Sequence, residues 1–91
     1  MIARAFRGAE GALRVVVKVY PPSPTVWLWL SLPRRGLEIR AEAPSLRKLR
    51  QTRFRGLERM IAADAVQDFR VDLYRVLNEI ETEWATHPAN N

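Results

Sequence analysis

Three stretches of this chain alternate along their length with a period of two, and the connections between them are too short for anything except antiparallel pairing. In the first, Leu13 to Tyr20, residues Leu13, Val15, Val17 and Val19 share one side of an extended β-branched run. In the second, Thr25 to Leu32, residues Val26, Leu28, Leu30 and Leu32 oppose Trp27, Trp29 and Ser31. In the third, Leu37 to Ala43, residues Leu37, Ile39, Ala41 and Ala43 oppose Glu38, Arg40 and Glu42. Pro21, Pro22 and Pro24 remove backbone donors and fix φ, so they form a stiff loop between the first two runs. Pro33, Arg34, Arg35 and Gly36 make a compact turn between the second and third. A parallel crossover needs about a dozen residues or more, so the pattern predicts a three-stranded antiparallel meander with one wholly aliphatic face.

After Pro44 the hydrophobic period lengthens to that of a helix. Ser45 is placed as an N-cap, and Leu46, Leu49, Leu57, Met60 and Ile61 form a first apolar stripe, with Gly56 as its weak point. Ala62, Val66, Phe69, Leu73, Val76, Leu77, Ile80 and Trp84 form a second stripe on a long amphipathic helix. At about 100° per residue the two stripes point roughly 160° apart, so one straight helix cannot bury both on a single sheet. Asp64 and Gln67 have capping-box spacing at the place where the phase changes, which predicts a break near Ala62 to Asp64. The alternative is one continuous helix whose rear half packs on a second chain, which makes a homodimer. The fold class expected is therefore α+β: a three-stranded meander followed by two helices, or by one long broken helix, in a single domain over residues 1–91. Residues 1–11 read as an extra edge strand, a short helix around Ile2 to Phe6, or a basic arm. His87, Pro88 and the residues after them read as a frayed tail.

At 47% hydrophobic and 27% charged residues the chain has the composition of a folded domain, and its length of 91 residues limits it to one small core. No cysteine is present, so no disulfide or thiolate metal site supplements that core, and a cytoplasmic setting is expected. No apolar run approaches the roughly 20 residues of a membrane span, and no secretion-signal pattern follows Arg4 and Arg7. The net charge of +5 conceals a division: residues 1–59 hold 13 Lys and Arg against 4 acids, and residues 60–91 hold 2 against 6. That polarity suits an anionic partner for the front or pairing between copies.

Arg47, Lys48, Arg50, Arg53, Arg55 and Arg59 put six cations within thirteen residues, the kind of clustering that grips phosphates. They spread around most of the helix, and Arg50 and Arg53 fall near its apolar stripe, so stems lying over the core edge are an equal explanation. The other side of the sheet places Arg14, Val16, Lys18 and Tyr20 near Trp27, Trp29 and Ser31, with Glu38, Arg40 and Glu42 beside them, and aromatics interleaved with cations are what unpaired bases stack on. Paired tryptophans are also what a helix or a partner chain covers. Asp64, Asp68 and Asp72 recur on one side of the second helix, where an outward face with Arg75 pairing Asp72 and Glu79 is the simplest reading; no metal is assigned. The single histidine, His87, lies in the tail, and the four glycines lack phosphate-loop spacing, so no catalytic residue, cofactor or small-molecule substrate is evident. An enzyme is not expected.

A meander followed by a helix carrying Arg47, Lys48 and Arg50 is similar in topology to double-stranded RNA-binding domains, arm-binding domains of tyrosine recombinases and the single-strand-binding coactivator fold. Double-stranded RNA-binding domains carry a helix before the first strand, which this pattern lacks, and topology by itself does not establish function. Two expectations follow. The first is a nucleic-acid-associated module, for DNA or RNA, offering Arg4, Arg7, Arg34, Arg35, Arg47, Lys48, Arg50, Arg53 and Arg55 to phosphates. The second is a protein–protein interaction module, an accessory subunit or small inhibitor of the kind mobile elements encode, using Trp27, Trp29, Trp84 and the second helix.

Overall fold

The computed structural model describes residues 1–8, 11–52 and 54–86. Its sheet has four antiparallel strands in chain order: β1 (Ile2–Gly8), β2 (Leu13–Val19), β3 (Val26–Leu32) and β4 (Leu37–Ala43). Three helical segments follow, α1 (Leu46–Gln51), α2 (Arg55–Glu58) and α3 (Ala63–Thr86). The class is α+β as expected, but the sheet has one strand more than the three that alternation alone predicts. The extra strand is the N-terminal segment, one of the three states open to it. Ile2 and Phe6 point into the core while Arg4 between them interrupts the apolar register, which is why the segment does not read as a strand on its own.

Pairing is regular across the sheet. Ile2 lies opposite Val19, Val17 opposite Leu28, and Leu28 opposite Ala41. Because side chains alternate, this register places every aliphatic inward position on one face, where Leu13, Val15, Val17, Val19, Val26 and Leu30 are essentially inaccessible to solvent. Between β3 and β4, Pro33–Arg35 form a 3₁₀ turn that Gly36 closes at φ 61°, a left-handed conformation that costs other residues about 1–2 kcal/mol.

The helices cover only the aliphatic face. Ser45, in extended conformation, accepts a hydrogen bond from the Lys48 amide and starts α1. The basic helical stretch then splits, against the expectation of one helix up to residue 61. Thr52 leaves helical geometry at ψ 134°, and Phe54 turns inward to meet Phe69 edge-on at 5.2 Å. On an uninterrupted helix Phe54 would sit about 140° away from Leu49 and face outward, so the break gains a core aromatic. The expected second break is present, since α3 begins at Ala63. The capping box is not: Asp64 lies inside the first turn and its carboxylate accepts from the next amide, Ala65. This interruption also disposes of the single continuous helix.

α3 buries Val66, Phe69, Leu73, Val76, Leu77 and Ile80. Phe69 lies 6.1 Å from Phe6, and Glu79 and Glu83 reach Arg4, so the helix runs back along β1 in the opposite direction. No helix among the described residues is long and apolar enough to cross a membrane.

Candidate functional site on the open sheet face

Alternation that sends the aliphatic residues inward sends a second set to the opposite face, over which none of the described helices lies. The register arranges that set in three rows across the sheet. Ala3, Lys18, Trp27 and Glu42 form one; Ala5, Val16, Trp29 and Arg40 the next; Arg7, Arg14, Ser31 and Glu38 the third. Both tryptophans stand on β3, an interior strand, so they form a ridge near the middle of the face. Trp27 is 46% exposed and Tyr20 47%, whereas Trp29 is half-buried between its strand neighbours.

Two hollows adjoin this ridge. One, of about 640 Å³, is walled by Val16, Lys18, Tyr20, Trp27, Trp29 and Arg40. The other, of about 260 Å³, lies over Ala5, Val16 and Trp29 with Arg7 and Arg14 at its rim. The smaller exists because β1 carries Ala5 in the row where β3 carries the Trp29 indole. The Trp29 indole nitrogen is buried and meets no hydrogen-bond partner among the described residues. A buried unsatisfied donor costs about 1–3 kcal/mol, and native structures contain few.

Charge on the face is divided from edge to edge. β1 and β2 contribute Arg7, Arg14 and Lys18; β4 contributes Glu38 and Glu42 with Arg40 between them, and Arg40 lies 4.0 Å from Glu38. Arg7 and Arg14 are direct cross-strand neighbours, and no ion pair reaches either among the described residues. Like charges in that position destabilise a sheet unless an anion approaches them.

The arginines expected to grip phosphate are not gathered into one surface. Arg4 is taken up by α3, with Glu83 and with Glu79 at 3.4 Å. Arg50 bonds Asn78 at 2.6 Å and pairs with Glu81 at 3.0 Å. Arg7 stands on the open face, Arg34 and Arg35 are exposed in the β3–β4 turn, Arg47 and Lys48 are exposed on α1, and Arg55 is exposed on α2. Arg53 and His87 lie outside the described residues. Away from the open face, three cations among the described residues share a hollow of about 390 Å³, walled by Arg55, Arg59 and Arg70, where Glu58 lies 3.5 Å from Arg70. Trp84 is not part of the Trp27–Trp29 ridge. It sits near the end of α3, packed against the core and beside Pro24 and Leu46 on the helical side. The acidic stripe is an outward face, in which Arg75 pairs with Asp72 at 3.5 Å and Glu79 at 3.2 Å.

Sequence reasoning identified the tryptophan face but missed Ala3, Ala5 and Arg7 as parts of it, since these belong to a strand it left open. The cross-strand rows supply the missing signal: small residues on β1 are informative only once β1 is paired to β2. No protein-family model, curated protein or solved structure matches the chain, so the reading of its function rests on this geometry.

Proposed function

We propose that the protein is a non-catalytic protein–protein interaction module that works through the open face of its sheet. The observation that carries this reading is the ridge of Trp27 and Trp29 flanked by apolar hollows and left uncovered by the chain's own helices. Tryptophan and arginine are the residues that most often anchor interfaces, and an interior strand is where such anchors are best surrounded. A cytoplasmic setting accords with a cysteine-free chain.

The test uses two substitutions on the open face, Val16→Arg and Trp27→Thr. Neither touches the aliphatic core, so both variants should fold with melting temperatures within about 8 °C of the parent, the equivalent of about 1 kcal/mol in a domain this size. Both should lose association with whatever the parent binds, read side by side with the parent on tagged protein at matched concentration. Retention of every parental association by both variants would refute the reading.

A second reading keeps the phosphate contacts. Arg55, Arg59 and Arg70 share one hollow against a single carboxylate, and Arg47 and Lys48 are exposed on the preceding segment. A nucleic-acid backbone in contact with those groups would give a log affinity that falls linearly with log salt, by roughly 0.7 to 0.9 per phosphate neutralised. Mobility shift of duplex and single-stranded oligonucleotides across a salt series decides it, and absence of binding at low salt rejects it.

A further inference from the structure

We infer that the occupant of the open face is a second copy of this chain, packed face to face about a two-fold axis that runs along the strands between β2 and β3. This rests on the reading of the open face as the working surface, and adds the identity of what covers it.

The face is self-complementary under that operation and under few others. A two-fold axis in the interface, parallel to the strands, lays β1 of the copy over β4 and β2 of the copy over β3, and it keeps each row on itself. The row of Ala5, Val16, Trp29 and Arg40 then sets Trp29 against Val16 of the copy and Arg40 against its Ala5. The row of Ala3, Lys18, Trp27 and Glu42 sets Trp27 against the copy's Lys18, a cation over an indole, and Glu42 against its Ala3. Large residues on one half thus meet small ones on the other, and the Trp29 indole of each copy enters the hollow over the other's Val16.

Charge follows the same antisymmetry. Glu38 comes over the copy's Arg7, beside Arg14, and so supplies the carboxylate that this like-charged pair lacks among the described residues of its own chain. Aligned sheet packing at about 30° displaces the outer rows by roughly 5 Å, which side chains as long as Arg and Glu can span. In plan the face measures about 19 by 23 Å from strand spacing and rise. At about 440 Å² per copy, or about 870 Å² in total, the contact falls below the roughly 1,200 Å² of stable interfaces and among the weak, transient ones, with a dissociation constant expected at tens of micromolar.

The experiment is sedimentation equilibrium of the full chain from about 5 to about 500 µM, a range that brackets the expected constant. The parent should pass from monomer to dimer without larger species, because the operation closes. Val16→Arg should weaken dimerisation by about tenfold or more, because the longer side chain fills the hollow that the copy's Trp29 enters. Arg7→Glu and Glu38→Arg should each weaken it about fivefold, and the double variant should return to within about twofold of the parent, since each copy then supplies both reversed partners. Arg7 and Glu38 stand on opposite edges of the sheet, three strand spacings or about 14 Å apart, so within one chain they have no direct way to compensate. A parent that stays monomeric over the whole range, or a dimer whose charge reversals fail to compensate, overturns the inference. A monomer whose Trp27 and Trp29 emission is quenched by a single-stranded oligonucleotide would overturn the second copy while leaving the open face as a binding surface, though not for protein. A dimer indifferent to Val16→Arg would place the self-contact on another surface and overturn the second copy alone, whereas the open face itself falls only when Val16→Arg and Trp27→Thr both keep every parental association.

Discussion

Replacing Phe69 by Ala should remove close to half of the stability of this domain, while replacing Trp27 by Thr should remove little, and the contrast tests which face of the sheet is core. Phe69 is fully buried and holds two rings, Phe6 at 6.1 Å and Phe54 edge-on at 5.2 Å. Truncation of such a residue costs about 3–5 kcal/mol in lost transfer energy and cavity. A 91-residue domain at roughly 0.1 kcal/mol per residue has about 9 kcal/mol in total. Trp27, 46% exposed, loses chiefly its cross-strand contacts with Lys18 and Glu42. At about 0.2–1 kcal/mol per pair that is about 1 kcal/mol, and Thr retains a strand-forming side chain. In urea, with a slope near 1.3 kcal/mol/M, the midpoint should fall by about 3 M for Phe69→Ala and by less than about 1 M for Trp27→Thr. The measurement is made at about 2 µM so that no association contributes. Equal losses for the two variants would mean that the tryptophan face is core, and would refute the assignment of the two faces.

Ser45→Ala removes the acceptor that starts α1 at 3.2 Å from the Lys48 amide and should cost about 1 kcal/mol, a drop of about 4–8 °C in melting temperature by calorimetry. Gly36→Ala forces a side chain into the left-handed turn at φ 61° and should cost about 1–2 kcal/mol in urea unfolding, although an added methyl group meets nothing within 4 Å. Arg4→Gln should cost about 0.2–1 kcal/mol at low ionic strength and less in 0.5 M salt, because its pairing with Glu79 and Glu83 is partly exposed and screened.

The strands β2, β3 and β4 are legible in the sequence because each keeps strict alternation over seven residues between proline or glycine punctuation. β1 is not, because Arg4 occupies an inward position that is acceptable only at an edge where α3 brings two glutamates to meet it. The same distant pairing explains why the division of charge along the chain overstates the positive surface. Summing charges along a sequence cannot register that α3 turns back along β1 and beside α1, cancelling Arg4 and Arg50. The interruption at Thr52 is equally non-local, since it is repaid by Phe54 packing on Phe69. The tryptophan ridge was visible as a pair of residues on one side of a strand. Whether a helix covered it depended on where α3 lay, and that follows from Ile2 and Phe6, in the strand hardest to read.

The most direct measurement of the central claim is a map of amide and indole resonance shifts as the protein is concentrated, and again as an oligonucleotide is added. The account predicts that on concentration the shifts gather on Val16, Lys18, Trp27, Trp29 and Arg40, with the Trp27 and Trp29 indole signals moving and that of Trp84 still. Shifts confined to α1, α2 and the β3–β4 turn, with the Trp27 and Trp29 indoles unmoved in both series, would contradict it.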